Sequence, residues 1–191
     1  MVKRVFDVFL AFVIGGMLLV PMFFIWVLVS ITSGSNGLFY QQRIGRYGKQ
    51  FTIYKFKTIL WEGDKPRITR LGKYLRKYKI DEVPQLYNIL NGTMSFVGPR
   101  PDLAGFYDVL EGEDKKVLLL KPGLTSRASI LYFNEEDLLQ EQENSEEFNK
   151  NVLFPAKVKL NLNYYYTQSL RTDLSILKDT FICLVQAAFR S

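Results

Sequence analysis

Two adjacent carboxylates, Asp81 and Glu82, lie in the segment "KYKIDEVPQLYNIL" at the end of the most basic stretch of the chain. Pro84 follows them, and proline is favoured in the first turn of a helix, so both carboxylates are expected at a helix start. An ionised aspartate there can attack phosphorus or hold Mg²⁺. Plain capping of the helix would use the same residue types, so the residues alone leave both interpretations open.

The charges around this pair predict that it is ionised. The helix start offers the positive end of the peptide dipoles, and Arg76 and Lys79 lie close by in sequence. Each of these would stabilise a carboxylate and so lower its pKa.

Composition limits the chemistry that the chain can perform. Its 191 residues carry a formal net charge of +6, which favours partners that bear phosphate. There is no histidine and only one cysteine, Cys183. This excludes Ser-His-Asp and Cys-His catalysis, Cys/His zinc sites and disulfides within the chain. Carboxylates with Mg²⁺, and Lys and Arg as phosphate ligands, form the combination that phosphoryl transfer uses. No P-loop is present.

The first thirty residues predict a membrane anchor. Residues Val8 to Ile31 form a run of 24 without a charge. As one helix it would be about 36 Å long, enough to cross a bilayer core of about 30 Å. Pro21 predicts a kink inside the run. Basic residues flank both ends, whereas a spanning helix should be asymmetric in charge. A spanning helix and a re-entrant helix that enters and leaves on one face both remain open, and a cleaved signal peptide is disfavoured.

The rest of the chain predicts an α+β fold, mainly helical, with residues 1–33 as the anchor and 34–191 as one compact domain, which the family resemblance given below makes the catalytic domain. Aromatic and β-branched residues around "GRYGK" predict strands at 38–44 and 50–57. Apolar residues at helical spacing predict a basic helix in "RITRLGKYLRKYKI" and a second helix that ends at Asn91-Gly92. "SFVGPRPD" and "LKPGLTS" read as turns. An exposed acidic helix is expected over 134–147 and an amphipathic C-terminal helix after it.

Several segments together resemble the bacterial sugar transferase family, the monotopic phosphoglycosyltransferases. They are "KRVFD" before the apolar run, "IYKFKT", the long block "LGKYLRKYKIDEVPQLYNILNGTMSFVGPRP" and "KPGLTS". The resemblance runs in order from about Lys3 to Thr125, with a weaker match in "YYYTQSLRTDLSIL".

The resemblance implies a reaction in two steps that requires Mg²⁺. The aspartate that matches Asp81 attacks the β-phosphorus of a UDP-sugar and expels UMP. A polyprenyl phosphate such as undecaprenyl phosphate then takes the phosphosugar, which begins a bacterial glycan such as an exopolysaccharide or lipopolysaccharide. The expected partners are the UDP-sugar, the polyprenyl phosphate, membrane phospholipids and downstream glycosyltransferases, and no nucleic acid.

The resemblance also assigns roles by position. It makes Asp81 the nucleophile and a metal ligand, Glu82 its catalytic partner, and Pro21 the break of a re-entrant anchor in the bacterial inner membrane, with the catalytic domain on the cytoplasmic face. Substrate or phosphate contacts are expected from Lys55, Arg76, Arg100, Arg127 and Asp173. For Arg100, a structural ion pair in the "GPRP" turn is the alternative.

Two departures from the family pattern bear on these roles. Val20 stands where many members have serine before the proline, so the side chain that would bond a freed carbonyl is absent. "SRASILYFNEEDLL" replaces the usual "GWAQVNGR", so Arg127 has a different spacing from the expected arginine. A membrane-tethered basic scaffold without catalysis and an inactive family member are the rival hypotheses, and the sugar cannot be read from the sequence.

Overall fold

The computed structural model describes residues 2–189. The fold is α+β and mainly helical, which confirms the predicted fold class. The helices are α1 Val2–Ser33, α2 Arg70–Lys77, α3 Leu86–Asn91, α4 Arg127–Leu131, α5 Glu135–Gln140, α6 Ser145–Phe148, α7 Phe154–Thr167 and α8 Leu170–Phe189. The strands are β1 Leu38–Ile44, β2 Gln50–Phe56, β3 Ile59–Glu62, β4 Lys65–Ile68, β5 Ser95–Val97 and β6 Gly123–Thr125. They form three two-stranded sheets, β1-β2, β3-β4 and β5-β6.

The chain divides into two compact units. The first holds the described residues up to Gln42, Thr52–Gly92 and those from Leu184 onward, and the second holds Arg43–Phe51 and Thr93–Cys183. The helix α1 therefore groups with the 52–92 segment that contains the acidic pair. The predicted division into an anchor at 1–33 and a catalytic domain at 34–191 separates the part inserted in a membrane from the rest, and it stays a prediction.

Helix α1 is long and apolar enough to cross a membrane, judged by length and composition. Most of its large side chains are exposed, among them Phe12, Met17 and Phe24. The helix is continuous through Pro21, so the predicted break is not an interruption of helical secondary structure. Re-entry into the membrane stays a prediction.

Both ends of α1 contact the first unit. Near the N-terminus, the Arg4 guanidinium donates hydrogen bonds to the carbonyl oxygens of Ile89 and Leu90, in the last turn of α3. Carbonyls in the last turn of a helix lack their usual i+4 partner, and the arginine adds to the bond that the Gly92 N–H donates to Ile89. Near the other end, Val29 is buried with Phe56 of β2 and Leu75 of α2. The two ends of α1 are thus held by one compact unit.

The β1-β2 hairpin and α2 position the acidic segment. The hairpin agrees with the predicted strands to within one residue. Thr69 caps α2 by accepting a hydrogen bond from the Gly72 backbone N–H, as serine and threonine do at helix starts. A side-chain carbon at Gly72 would lie 2.4 Å from the Thr58 carbonyl oxygen, so glycine permits the close contact between α2 and the link from β2 to β3.

The second unit has its own core, in which α7 packs against the Asp114–Leu119 turn. The buried residues are Ile44, Tyr107, Val117, Leu118, Phe154 and Val158. The predicted turns "SFVGPRPD" and "LKPGLTS" each contain a short strand, because β5 and β6 pair in parallel. A side-chain carbon at Gly123 would lie 2.1 Å from the Gly98 backbone nitrogen, so only glycine allows the two chains to approach this closely.

One further prediction needed correction in detail, and another was confirmed. The acidic segment 134–147 is not one helix but contains α5 and the start of α6, separated by a turn. The C-terminal amphipathic helix is present as α8, and its apolar side chains Leu174, Phe181 and Val185 are exposed.

Candidate active site

The acidic pair lies in a short 3-10 helix that follows α2. Lys79 joins the two helices in the left-handed conformation, with φ 54° and ψ 21°. This conformation is uncommon for residues other than glycine, and it turns the chain sharply between α2 and residues Ile80–Gln85. The predicted helix start at Pro84 is therefore a 3-10 turn, and α3 begins two residues later at Leu86.

Both carboxylates are buried. Asp81 is 7% exposed and Glu82 is 6% exposed. A capping aspartate on a helix surface would be solvated, and the Ile80–Gln85 segment has no side-chain cap at its start. The Asp81 Oδ1 atom has no hydrogen-bond partner among the described residues. A buried, unpaired carboxylate oxygen is costly, so the arrangement indicates a site for a ligand more than a cap.

Glu82 is paired with a lysine from the adjacent strand. The Lys55 ammonium lies 3.0 Å from Glu82 Oε1, and the two side chains are 19% and 7% exposed. Lys55 is on β2, and Asn88 of α3 donates a hydrogen bond of 2.7 Å to the Thr52 carbonyl on the same strand. Asn88 is buried and ties the helix after the acidic pair to the strand that supplies the lysine. Sequence reasoning did not identify Asn88, because nothing in its local pattern marks this contact.

The structure reverses the predicted direction of the Asp81 pKa. Burial is the largest cause, and together with the Glu82 charge it raises the pKa of Asp81 to about 6. The charges of Lys55, Lys79 and Arg76 act in the opposite direction but do not outweigh it. The sequence-based prediction counted the positive neighbours and had no information on burial. A carboxylate with a pKa near 6 is still mostly ionised at pH 7 to 8.

The residues present fit a magnesium ion. Among the described side chains, which leave out that of Glu62, no group of three or more His, Cys, Asp and Glu is placed to hold a metal. Mg²⁺ is commonly held by one or two carboxylates together with water and substrate phosphates, which needs no such group. The unpartnered Asp81 Oδ1 is the kind of hard oxygen ligand that this arrangement requires.

The other predicted site residues fall in two groups. Arg76 and Lys55 lie in the first unit with the acidic pair, and the charges of both act on Asp81. Arg100, Arg127 and Asp173 belong to the second unit. Their predicted contacts with substrate stay predictions.

Two of the three residues in the second unit have partners that suggest structural roles. Arg127 is about half exposed and lies 3.8 Å from the Asp179 carboxylate of α8. Asp173 is 1% exposed and accepts a hydrogen bond from the Tyr164 hydroxyl of α7. This buried contact holds the start of α8 against α7, which is a sufficient reason for an acid at this position.

The structure combines one helix that is long and apolar enough to cross a membrane, by length and composition, with a buried acid pair beside a lysine. The family model for bacterial sugar transferases matches residues 1–187. The chain therefore belongs to the bacterial sugar transferase family.

Three relatives illustrate the range of this similarity. An uncharacterized sugar transferase, EpsL, of Bacillus subtilis (strain 168) is 38% identical over 136 residues, which covers 67% of each chain. An undecaprenyl-phosphate galactose phosphotransferase of Salmonella typhimurium is 32% identical over 71% of this chain and 33% of its own length. A UDP-N-acetylgalactosamine-undecaprenyl-phosphate N-acetylgalactosaminephosphotransferase of Aeromonas hydrophila is 28% identical over 92% of this chain and 41% of its own length.

Proposed function

We propose that the protein transfers a sugar-1-phosphate from a UDP-sugar to undecaprenyl phosphate through a phosphosugar bound covalently to Asp81. The observation that carries the proposal is the buried Asp81–Glu82 pair, in which Asp81 Oδ1 lacks a partner while Lys55 holds Glu82. Family membership and the named substrates of the relatives support the same reaction.

The first step forms a bond between an Asp81 carboxylate oxygen and the β-phosphorus of the UDP-sugar. The bond from that phosphorus to the bridging oxygen breaks, and UMP leaves with the electron pair. The pKa of Asp81 near 6 keeps the attacking carboxylate ionised at neutral pH, yet more basic than a solvated aspartate. Lys55 and Arg76 lie near enough to act on the Asp81 charge, so they are proposed to bind the diphosphate as well.

The second step regenerates the enzyme. An oxygen of undecaprenyl phosphate attacks the phosphosugar, the bond to Asp81 breaks, and undecaprenyl diphosphate sugar is released. Glu82 is proposed to accept the proton when the lipid phosphate arrives protonated, with the Lys55 ammonium stabilising its charge. The covalent intermediate divides one displacement between two large substrates into two simpler ones.

Mg²⁺ is the proposed cofactor, with Asp81 and the substrate phosphates as ligands. When bound, the ion neutralises charge on the diphosphate and on the leaving UMP. Arg100, Arg127 and Asp173 are kept as proposed substrate contacts, although the partners of Arg127 and Asp173 also explain their positions.

We further propose that α1 enters the membrane from one face and returns to it, and that this face is cytoplasmic. A straight helix would separate Arg4 from Val29 by about 37 Å, more than a bilayer core. Yet both residues contact the same compact unit, Arg4 through α3 and Val29 through β2 and α2. A spanning helix would leave one of these contacts on the opposite side of the membrane.

Labelling of introduced cysteines tests this topology. With Cys183 replaced by serine, cysteines at positions 2 and 36 should both react with a membrane-impermeant maleimide only after the cytoplasmic face is opened. The contacts of Arg4 and Val29 with one unit are the physical reason. Reaction of the two positions from opposite sides would mean that α1 spans the bilayer.

A screen for UMP release tests the reaction itself. Purified protein, Mg²⁺ and undecaprenyl phosphate are incubated with individual UDP-sugars, and UMP is measured. One or a few UDP-sugars should support release, and this result also identifies the donor. UMP release with none of the bacterial UDP-sugars, from a folded and membrane-incorporated protein, would contradict the proposed reaction.

A further inference from the structure

The outer face of α2 carries only cations and one tyrosine. Arg70, Lys73, Tyr74 and Lys77 are all exposed and share one face, since residues three and four apart are neighbours on a helix. Tyr74 is 68% exposed. The helix contains no acidic residue, and none of the ion pairs among the described side chains, which leave out that of Glu62, involves Arg70, Lys73 or Lys77. The proposed reaction does not use these side chains.

The opposite face of α2 packs against α1. Leu75 is buried with Val29, and Leu71 packs against the same cluster together with Met22 and Ile25. These α1 residues follow Pro21, in the half of α1 that leads to the β1-β2 hairpin. The basic helix is therefore fixed directly beside a helix most of whose large apolar side chains are exposed.

Side chains around α2 follow the order expected for a helix at a membrane surface. Around the helix, at 100° per residue, Leu71 and Leu75 lie on the face that packs against α1. Tyr78 and Tyr74 lie next to them, and Arg70, Lys73 and Lys77 lie farthest from that face. The two tyrosine rings are 6.0 Å apart. Tyrosine is enriched at the level of lipid headgroups, and lysine and arginine reach from there to anionic groups.

The hairpin before α2 adds an exposed indole and no net charge, since Glu62 and Asp64 balance Lys65 and Arg67. Strands β3 and β4 place Trp61 opposite Pro66 and Leu60 opposite Arg67. Trp61 is 70% exposed, and Lys65 and Arg67 on the return strand are exposed too. Such an exposed indole loses favourable burial in water but is stabilised at a bilayer interface.

We infer that the outer face of α2 and the β3-β4 hairpin form a docking surface for the headgroups of anionic phospholipids. In this arrangement Trp61 and Tyr74 lie at headgroup level, and Arg70, Lys73 and Lys77 bind lipid phosphates. The inference rests on the proposed insertion of α1, since that insertion brings α2 to the membrane. The attraction comes from anionic lipid in the surrounding bilayer, separately from the undecaprenyl phosphate used as substrate.

Tryptophan fluorescence tests the surface directly. Trp26→Phe leaves Trp61 as the only tryptophan. The full chain is placed in nanodiscs of phosphatidylcholine with or without phosphatidylglycerol, and quenching by acrylamide is measured. Phosphatidylglycerol should reduce the quenching of Trp61 at least about twofold, and high salt should reverse this. Equal quenching in both lipids would overturn the inference, and this comparison needs no variant of α2.

Matched variants locate the effect. The triple change Arg70→Gln, Lys73→Gln and Lys77→Gln should abolish the response to phosphatidylglycerol. The control Lys115→Gln, Lys150→Gln and Lys159→Gln removes the same charge from exposed positions elsewhere and should keep the response. Equal loss in both would mean a general attraction of a basic protein, and the docking surface would be wrong.

Further outcomes separate the docking surface from a substrate site and from the proposed insertion of α1. Undecaprenyl phosphate in phosphatidylcholine discs should not protect Trp61, and protection as strong as that by phosphatidylglycerol would make the surface a substrate site instead. Failure of the protein to enter any nanodisc would refute the insertion of α1. Entry with Trp61 fully accessible in both lipids would refute only the docking surface.

Discussion

Asp81→Asn is expected to abolish turnover while making the folded protein more stable. Asparagine keeps the shape of the side chain but cannot attack phosphorus as a carboxylate does, so UMP release should fall at least about a thousandfold. The measurement is UMP release at saturating UDP-sugar and undecaprenyl phosphate. A folded variant that keeps near-normal release would show that Asp81 is not the nucleophile.

The stability of this variant follows from the sign of the pKa shift. The pKa of Asp81 is raised from 3.8 to about 6, so folding favours the protonated form. The contribution of protonated Asp81 to the free energy of unfolding is complete below pH 3.8 and is lost as the pH rises through about 6. At pH 8 the buried charge therefore costs the folded state about 3 kcal/mol, and asparagine removes that cost.

Thermal unfolding in detergent at two pH values measures this effect. Asp81→Asn should raise the midpoint at pH 8 and raise it much less near pH 4.5, where Asp81 is largely protonated in the folded state. The exposed Asp137, on α5, provides the control, and Asp137→Asn should change neither midpoint by much. A lower midpoint for Asp81→Asn at pH 8 would mean that the ionised carboxylate has a stabilising partner that the geometry does not reveal.

Lys55→Met should destabilise the protein and also slow the reaction. The substitution leaves the Glu82 carboxylate, which is 7% exposed on its side chain, without the ammonium at 3.0 Å. Breaking a buried pair in this way costs about 3 kcal/mol. Lys55 also lowers the pKa of Asp81, so its loss should raise that pKa further and leave less of the nucleophile ionised at neutral pH.

The pH dependence of UMP release separates these two effects. In Lys55→Met the acidic limb of the profile should move to higher pH, whereas Lys55→Arg should keep it in place. Adding Glu82→Gln to Lys55→Met should recover most of the lost stability, because the buried charge that faced Lys55 is gone, but should not recover activity. An unchanged acidic limb in Lys55→Met would contradict the proposed action of Lys55 on Asp81.

An exposed ion pair serves as the reference for the stability cost of Lys55→Met. Lys116 and Glu113 are 2.8 Å apart but 41% and 57% exposed. Lys116→Met should therefore cost no more than about 1 kcal/mol. A similar cost for Lys55→Met would mean that burial of the Lys55–Glu82 pair has little energetic weight.

Local patterns predicted those parts of the fold that neighbouring residues determine. The β1-β2 hairpin, helix α2 and the end of α3 at Gly92 each depend on turn chemistry or on apolar spacing within about ten residues. Gly92 adopts φ 89°, as expected for a glycine that ends a helix. Asp81 and Glu82 stand out locally as an adjacent acidic pair shortly before Pro84, but this local signal also fits a helix cap, and their catalytic roles came from the family resemblance.

Features that depend on tertiary contacts could not be predicted in the same way. The three-residue strands β5 and β6 pair although they are far apart in sequence, and neither is long enough to show a period. The direction of the Asp81 pKa depends on burial, which the basic neighbours in sequence conceal. The bond from Asn88 to the Thr52 carbonyl likewise joins two elements that sequence alone does not place together.

Direct detection of the phosphosugar on the enzyme tests the central claim. Protein and Mg²⁺ are mixed with a reactive UDP-sugar in the absence of undecaprenyl phosphate, quenched in acid, and analysed by intact and peptide mass spectrometry. The account predicts one equivalent of UMP and one phosphosugar, attached to Asp81 and removed when undecaprenyl phosphate is added before the quench. UMP release that requires the lipid from the start, with no adduct on any peptide, would mean direct transfer and would contradict it.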